Sequence, residues 1–356
     1  MIGVDIFSGA GGMSLGAIMA GINVRIAIES DKHAADTFKA NHPETDVKCK
    51  DIRSVSLVNY FEETNEDVFV VFGGPPCQGF SVSNTKTRNL DNNNNKLFKE
   101  FIRIIEEVQP KWFVFENVEG FQSFNRGMVV KTLKEEFEML GYNCSYDVLT
   151  ASNYGVPQNR NRFFMVGNRL GINYSFPEQQ PTVVNVHQAI CDLPPLKNGD
   201  CFDELPYRRK RPSNYARQLR NNSTYAKQNL VSRNQDYVIE RYSYIGQGEN
   251  WKSVPKSLMS NYSNSDNCHS GIYKRLDAKK PSVVIANYRK NMLIHPYEHR
   301  GLSVREAARI QSFPDSFIFK GSLMHIQQQI GNAVPPLLAK AIFQQIINLT
   351  PENGQG

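Results

Sequence analysis

Through the first half of the chain, short apolar blocks alternate with amphipathic stretches. Ile2-Gly3-Val4-Asp5-Ile6-Phe7 has the β-branched, apolar character of a strand, Ser8-Gly9-Ala10-Gly11-Gly12 is a glycine loop, and Met13 to Ala20 is helical in pattern. Val24-Arg25-Ile26-Ala27-Ile28 then reads as a second strand with Glu29 at its end, and Val47-Lys48-Cys49-Lys50 leads into Asp51. Asp67–Phe72 and Trp112–Phe115 are apolar enough for strands buried on both faces. Helical periodicity appears near Lys96–Val108 and Met128–Leu140. This alternation predicts an α/β domain built on a mainly parallel sheet from residue 1 to about 180.

The pattern then breaks. Pro177, Pro181, Pro194 and Pro195 mark the exit from the alternating region, and turn-rich, irregular sequence follows. Periodicity returns at Ser303-Val304-Arg305-Glu306, which has the form of a capping box with Leu302 as its hydrophobic staple. That helix is stopped by Pro314. Pro335 and Pro336 fall in the first turn of a last apolar helix, Leu337 to Ile347, where proline is tolerated.

Two strand ends carry chemistry. In Gly73-Gly74-Pro75-Pro76-Cys77-Gln78-Gly79-Phe80-Ser81 the prolines end a strand, because they lack the N–H a ladder needs. Cys77 is thereby delivered to the rim of the sheet. Glu116-Asn117-Val118 follows the Trp112–Phe115 strand at the carboxyl edge, where open α/β sheets bind ligands. A lone cysteine is more often an inert buried thiol, and a lone glutamate a cap or a solvated strand end. Together, a thiol and a carboxylic acid facing one cleft suit attack on a ring that is protonated as it is attacked.

The amino-terminal strand, glycine loop, helix, strand and acid form a nucleotide-binding βαβ arrangement, with Glu29 placed for ribose hydroxyls. The glycine spacing is not G-x-G-x-x-G, which disfavours a dinucleotide. Asp51 is suited to accept from an adenine amino group; its bland alternative is a loop aspartate in water.

Composition narrows the class. A chain of 356 residues can bury a sizeable core and is expected to form two domains. No apolar run approaches the ~20 residues needed to cross a bilayer, and Met1 leads straight into strand-like sequence, so no signal peptide is expected. The six cysteines show no C-x-x-C pairs, so neither zinc nor a disulfide framework is expected, and reduced thiols point to the cytoplasm. Net charge is +6, but residues 200–300 hold 18 Lys or Arg against 9 Asp or Glu, an excess of +9, leaving −3 elsewhere. Ten of the fifteen tyrosines share that window, among them Tyr207, Tyr215, Tyr225, Tyr242, Tyr244 and Tyr273. Interleaved cations and aromatics suit contact with phosphates and bases; a solvated polar insert is the alternative.

In its ordered motifs the chain resembles the bacterial C5-cytosine-specific DNA methyltransferase family. Asp5–Gly12 resembles the family's cofactor loop, Pro75-Pro76-Cys77-Gln78 its nucleophile motif and Glu116-Asn117-Val118 its base-protonating motif. Gln158-Asn159-Arg160-Asn161-Arg162 resembles the paired-arginine motif, and Arg305–Pro314 and Gln329–Pro335 the last two. Only about 180 to 280 is unmatched, as befits a variable recognition segment. Two local departures are Asn94 where relatives carry an arginine before Leu97-Phe98, and Val284 where they often carry threonine.

The resemblance implies a Rossmann-like S-adenosylmethionine-dependent methyltransferase sheet with a smaller, irregular target-recognition domain. Residues 1–180 with 322–356 would be catalytic and 181–321 would recognise DNA. Cys77 would attack carbon 6 of a flipped-out cytosine, Glu116 would hold or protonate N3, and Arg162, with Arg160 beside it, would contact the base and its nucleotide. Ser81–Asn95 would be the lid. For the cofactor S-adenosyl-L-methionine it implies Phe7 stacked on adenine, Glu29 on ribose and Asp51 on the adenine amino group, together with Gly9, Ala10, Gly12, Ile52 and Pro75. Asn332 and Val334 would close the pocket, and no metal is implied. The expected partner is double-stranded DNA, for a monomeric, cytoplasmic, bacterial or phage-encoded enzyme that works either beside a restriction endonuclease as functional partner or as an orphan modifier. Gly79-Phe80-Ser81 and the basic segment favour this over a transfer-RNA methyltransferase. A nicotinamide dehydrogenase gives Cys77 and Glu116 no role, and a catalytically inert DNA-binding module does not need them.

Overall fold

The computed structural model describes residues 1–58, 60–61, 67–76, 97–208, 211–259, 271–288 and 292–351. Cys77, the asparagine run and the Ser81–Asn95 segment lie outside the described residues. Two compact units are present: Met1–Thr150 with Asn161–Gln179 and Pro336–Gly356, and Ala151–Arg160 with Gln180–Pro335.

The first unit is built on a seven-stranded sheet in the order β3-β2-β1-β4-β5-β7-β6. Its strands are β1 (Ile2–Ile6), β2 (Asn23–Glu29), β3 (Asp46–Cys49), β4 (Val68–Gly73), β5 (Trp112–Val118), β6 (Asn143–Thr150) and β7 (Asn161–Asn168). β1 to β5 pair in parallel, and β7 runs antiparallel to both β5 and β6. The apolar blocks become buried strands: β4 is buried along its whole length, and Val4, Ile6, Val71, Phe113 and Phe115 share one core with Phe101, Leu133 and Phe137 of the helices. Parallel strands covered on both faces need this near-continuous apolar sequence. The expected helices are found at Gly12–Met19, Leu97–Val108, Met128–Met139 and Pro336–Leu349. The first and last of these meet at Gly16, where a Cβ would come within 2.5 Å of the Ala339 Cβ. Only glycine permits that approach.

This topology locates the site. The chain leaves β3 at one end of the sheet and returns to β4 on the far side of β1. The carboxyl ends of β1 and β4 therefore flank a switch point, where a crevice opens in doubly wound sheets.

The second unit is irregular, as expected. It contains an antiparallel ribbon of β8 (Cys201–Pro206) and β9 (Tyr225–Leu230) and several short helices. The capping box forms as read: Ser303 and Glu306 satisfy each other's backbone N–H groups at the start of Val304–Ile310, and Leu302 is buried. The same stretch is held by buried ion pairs, Arg309 to Asp192 (2.9 Å) and Asp315 (2.6 Å), and Arg300 to Glu306 (2.7 Å).

Unit boundaries differ from the domains expected from the sequence: 151–160 and 322–335 both belong to the second unit. The cause is buried polar bonding. Gln158 donates to Gln311 Oε1 (2.8 Å) and accepts from the Ile285 N–H (2.8 Å), while Gln311 donates to the Ile330 carbonyl (2.6 Å).

The basic, tyrosine-rich window is also less of a surface than its composition suggests. Arg241, Arg275 and Arg300 are buried, and Arg275 donates to the carbonyls of Tyr242, Ile245 and His295. Tyr215, Tyr242 and Tyr273 are buried as well, whereas Tyr225 and Tyr244 are exposed. With few aliphatic runs in this segment, aromatic rings and guanidinium groups build its interior, and the buried guanidinium groups of Arg241, Arg275 and Arg300 each donate to a partner, as burial requires.

Candidate active site

At the carboxyl end of β1 the backbone turns sharply. Phe7 has φ 61°, a left-handed conformation rarely adopted by an aromatic residue, and Gly9 and Gly11 follow at φ 55° and 91°. The Ser8 N–H donates to the Ile28 carbonyl (3.1 Å), which anchors the loop to β2. Glu29, ending β2, accepts from the Gly9 N–H (2.8 Å) and the Asp31 N–H (2.7 Å), so its carboxylate is fixed beside the loop. Phe7 is half-buried, Ala10 and Gly12 are buried, and a Cβ built on Gly9 would meet no atom within 4 Å. A ligand can therefore reach the Gly9 backbone.

One strand over, Asp51 follows β3. Hydrogen bonds from Arg53, side chain first and then backbone, hold its carboxyl down at about 2. The pair is solvent-facing, with Arg53 Nε 2.9 Å from Asp51 Oδ1, and Ile52 beside it is buried. Glu29 and Asp51 thus present acceptors at the ends of adjacent parallel strands. Acceptors suit ribose hydroxyls and an adenine amino group, and the glycine loop offers no cation for a pyrophosphate. These residues fit the nucleoside of S-adenosylmethionine.

The sequence reading missed Asp5. It is buried within β1, accepts from Ser14 Oγ (2.6 Å), and has its carboxyl raised well above the ordinary range, chiefly by burial and with Glu29 adding to the rise against the Ser14 bond. The available signal was an aspartate inside an otherwise apolar strand.

On the other side of the switch point, β4 ends at Gly73, where a Cβ would overlap the Ile6 carbonyl oxygen. Pro75 is buried, and its carbonyl accepts from Asn117 Nδ2 (3.2 Å). This bond ties the segment leading to Cys77 onto β5. Glu116 lies within β5 rather than after it, because pairing with β7 carries the strand on to Val118. Glu116 stands opposite Phe164, and Arg162 stands opposite Val118, two residues along the same face of β7. Such diagonal neighbours are within reach of long side chains. Arg162 Nε sits 2.9 Å from Glu116 Oε1, with both side chains 12% exposed.

Arg160 behaves differently from Arg162. It is buried in the second unit and donates to the carbonyls of Ile285 (3.0 Å) and Gly331 (2.8 Å). These contacts make it an organiser of that unit's backbone. Asn332 and Val334 also belong to the second unit. Asn332 is exposed and accepts from Gln328 Nε2 (2.7 Å), and Val334 is buried. Among the described residues no group of three metal-ligating side chains is found, and no helix is long and apolar enough to cross a membrane.

A model of the C-5 cytosine-specific DNA methylases matches residues 1–348. The chain belongs to that family. It is 37% identical to the type II methyltransferase M1.HphI of Haemophilus parahaemolyticus over 97% of this chain and 86% of that protein. It is 34% identical to M.DdeI of Desulfomicrobium norvegicum over 96% and 88% of the two chains. A solved structure from E. coli, described as a DNA modification methyltransferase encoded within a prophage, superposes with a TM-score of 0.82 at 28% identity, covering 98% and 99%. The methylase transfers a methyl group from S-adenosylmethionine to carbon 5 of cytosine in DNA, on the α/β fold expected from the sequence.

Proposed function

We propose that this methylase acts through Cys77, Glu116 and Arg162 on a cytosine turned out of the duplex. The observation carrying the proposal is the Glu116–Arg162 pair, set in β5 and β7 beside the Gly74–Pro76 segment that runs into Cys77. Carbon 5 of cytosine is too poor a nucleophile to accept a methyl group unaided. Addition of the Cys77 thiolate to carbon 6 breaks aromaticity and makes carbon 5 enamine-like. Glu116 holds the proton at N3, taking up the electrons displaced by that addition; once carbon 5 carries the methyl group, loss of the carbon 5 proton to a base restores the 5,6 double bond and expels the Cys77 thiolate. Arg162 orients Glu116 and stands at the side from which the base's carbonyl would approach. Phe7, Gly9, Ala10, Gly12, Glu29, Asp51, Ile52 and Pro75 would hold the cofactor, which supplies an electrophilic methyl group when bound. Asn332 and Val334 are assigned to the same pocket on resemblance alone, and Arg160 acts as a positioning residue. The base must be extruded because neither ring face is accessible in the stack, and the lost stacking and pairing cost roughly a few kcal/mol.

Covalent trapping tests the mechanism. DNA carrying 5-fluorocytosine in the target site should form a stable adduct with the protein in the presence of cofactor, because fluorine cannot leave as a cation. A methylated product released without any adduct would exclude thiolate addition.

We further propose that residues 181–321 carry sequence recognition and that the enzyme works as a cytoplasmic monomer. Its functional partner would be a restriction endonuclease of the same specificity, a reading supported by the type II relatives. Within the second unit, the Val186 N–H donates to the Lys280 carbonyl (3.0 Å) and the His187 N–H to the Ala278 carbonyl (2.9 Å), so a segment of about this extent begins and ends at one place. Replacing 185–280 with the matching segment of a relative of different specificity should transfer the methylated sequence and leave cofactor affinity unchanged. A folded, active chimera that still modifies the original site would place recognition elsewhere. Bisulfite sequencing reads the outcome directly.

A further inference from the structure

Gly74 has no chemistry of its own, yet its surroundings are specific. β4 and β5 pair in parallel with Gly73 opposite Phe115, which brings Gly74 alongside Glu116. A Cβ built on Gly74 would fall inside the van der Waals envelope of Glu116 Oε2 and lie 3.5 Å from the carboxyl carbon. Glu116 Oε1, the other oxygen, is the one held by Arg162 Nε at 2.9 Å. The carboxyl group is therefore seated between a guanidinium on one side and a bare Cα on the other. Gly74 does not have the positive φ that would call for glycine on backbone grounds, in contrast to Gly9 and Gly11. The demand for glycine comes from the space occupied by Glu116.

We infer that Gly74 is a positioning residue for the methyl-transfer reaction: its missing side chain is the seat that lets the Glu116 carboxyl face the base while still bonded to Arg162. The inference rests on Glu116 acting at the base. An alanine here would press on the end of a flexible side chain rather than on backbone, so the chain yields by moving the Glu116 carboxyl. A reacting group displaced by about 1 Å can cost on the order of 10²-fold in rate.

The test is a double-mutant cycle in single-turnover methylation, with cofactor and DNA affinities measured alongside. Gly74→Ala is expected to lower the rate about 10- to 100-fold and to leave both affinities nearly unchanged, a loss in kcat without one in KM. In the Glu116→Gln background, already slow, Gly74→Ala should add little, because there is no acid left to misplace. Fully multiplicative losses, or a wild-type rate for Gly74→Ala beside a crippled Glu116→Gln, would overturn the role of Gly74 while leaving that of Glu116 standing. A near wild-type rate for Glu116→Gln would instead remove the acid assignment itself. If Gly74→Ala does not fold, Gly74→Ala in a Glu116→Asp background decides the matter, since the shorter carboxyl no longer reaches position 74. Folding restored there supports the seat; continued failure shows that other atoms require the glycine.

Discussion

Cys77→Ser is expected to abolish methyl transfer to DNA. A hydroxyl is far harder to ionise than a thiol, so a serine cannot supply the anion that must add to carbon 6 at neutral pH. The substitution is nearly isosteric and follows, in sequence, the end of β4 at Gly73, so the fold should be retained. Binding of DNA and of S-adenosylmethionine should persist within a few-fold, while turnover falls to background and the 5-fluorocytosine adduct disappears. Tritium transfer from labelled cofactor, run beside a DNA gel-shift, separates these readouts. Methylation at a near wild-type rate in the serine variant would rule out nucleophilic addition by this residue.

The second large effect is expected at Glu116. Its carboxyl is mostly buried and bonded to Arg162, in a strand whose neighbours on both sides are paired. Glu116→Gln keeps the shape and can keep a hydrogen bond from Arg162 through its amide oxygen, but it cannot exchange a proton with N3. General acid–base catalysis is typically worth ~10²–10⁴-fold, and a loss in that range is predicted for single-turnover methylation. The thermal unfolding midpoint should change little, because the exchange strands no buried charge other than a guanidinium that also donates to the Asn161 carbonyl (2.8 Å). A rate loss under about tenfold would make Glu116 a structural residue of β5, given what proton transfer normally contributes.

How much of this was legible in the sequence depends on how local each cause is. The strand, loop, helix, strand and acid of residues 2–29 follow from apolar blocks, glycines and an acid at strand ends, and the structure places them as read. The capping box at Ser303 and the proline in the first turn of the last helix are likewise local signals; the box forms as read and the helix opens at Pro336, with Pro335 one residue ahead of it. The extension of β5 through Glu116 was not legible, because it depends on pairing with β7, a strand drawn from another part of the chain. Arg160 and Arg162 look like one motif when written in a line. In space the first organises carbonyls of the second unit, while the second reaches Glu116 across the sheet.

Charge and aromatic content are coarse guides for a similar reason. A tally over residues 200–300 cannot distinguish an arginine that meets solvent from Arg275, whose guanidinium is spent on buried carbonyls. Nor can it tell Tyr225, which is exposed, from Tyr242 and Tyr273, which pack edge-on in a small core.

What the sequence determined by itself was the chemistry available and the fold class. Residue type fixes reactivity, and the spacing of apolar residues fixes which segments can bury themselves as strands or helices. What the tertiary structure alone decided was pairing: that Glu116 meets Arg162, that Glu29 meets the Gly9 N–H, that the Glu116 carboxyl lies against Gly74, and that Arg241, Arg275, Arg300, Tyr215, Tyr242 and Tyr273 of the basic window are interior. The reason is physical. A buried polar group must find a partner wherever the folded chain brings one, and distance along the chain says nothing about which partner that will be.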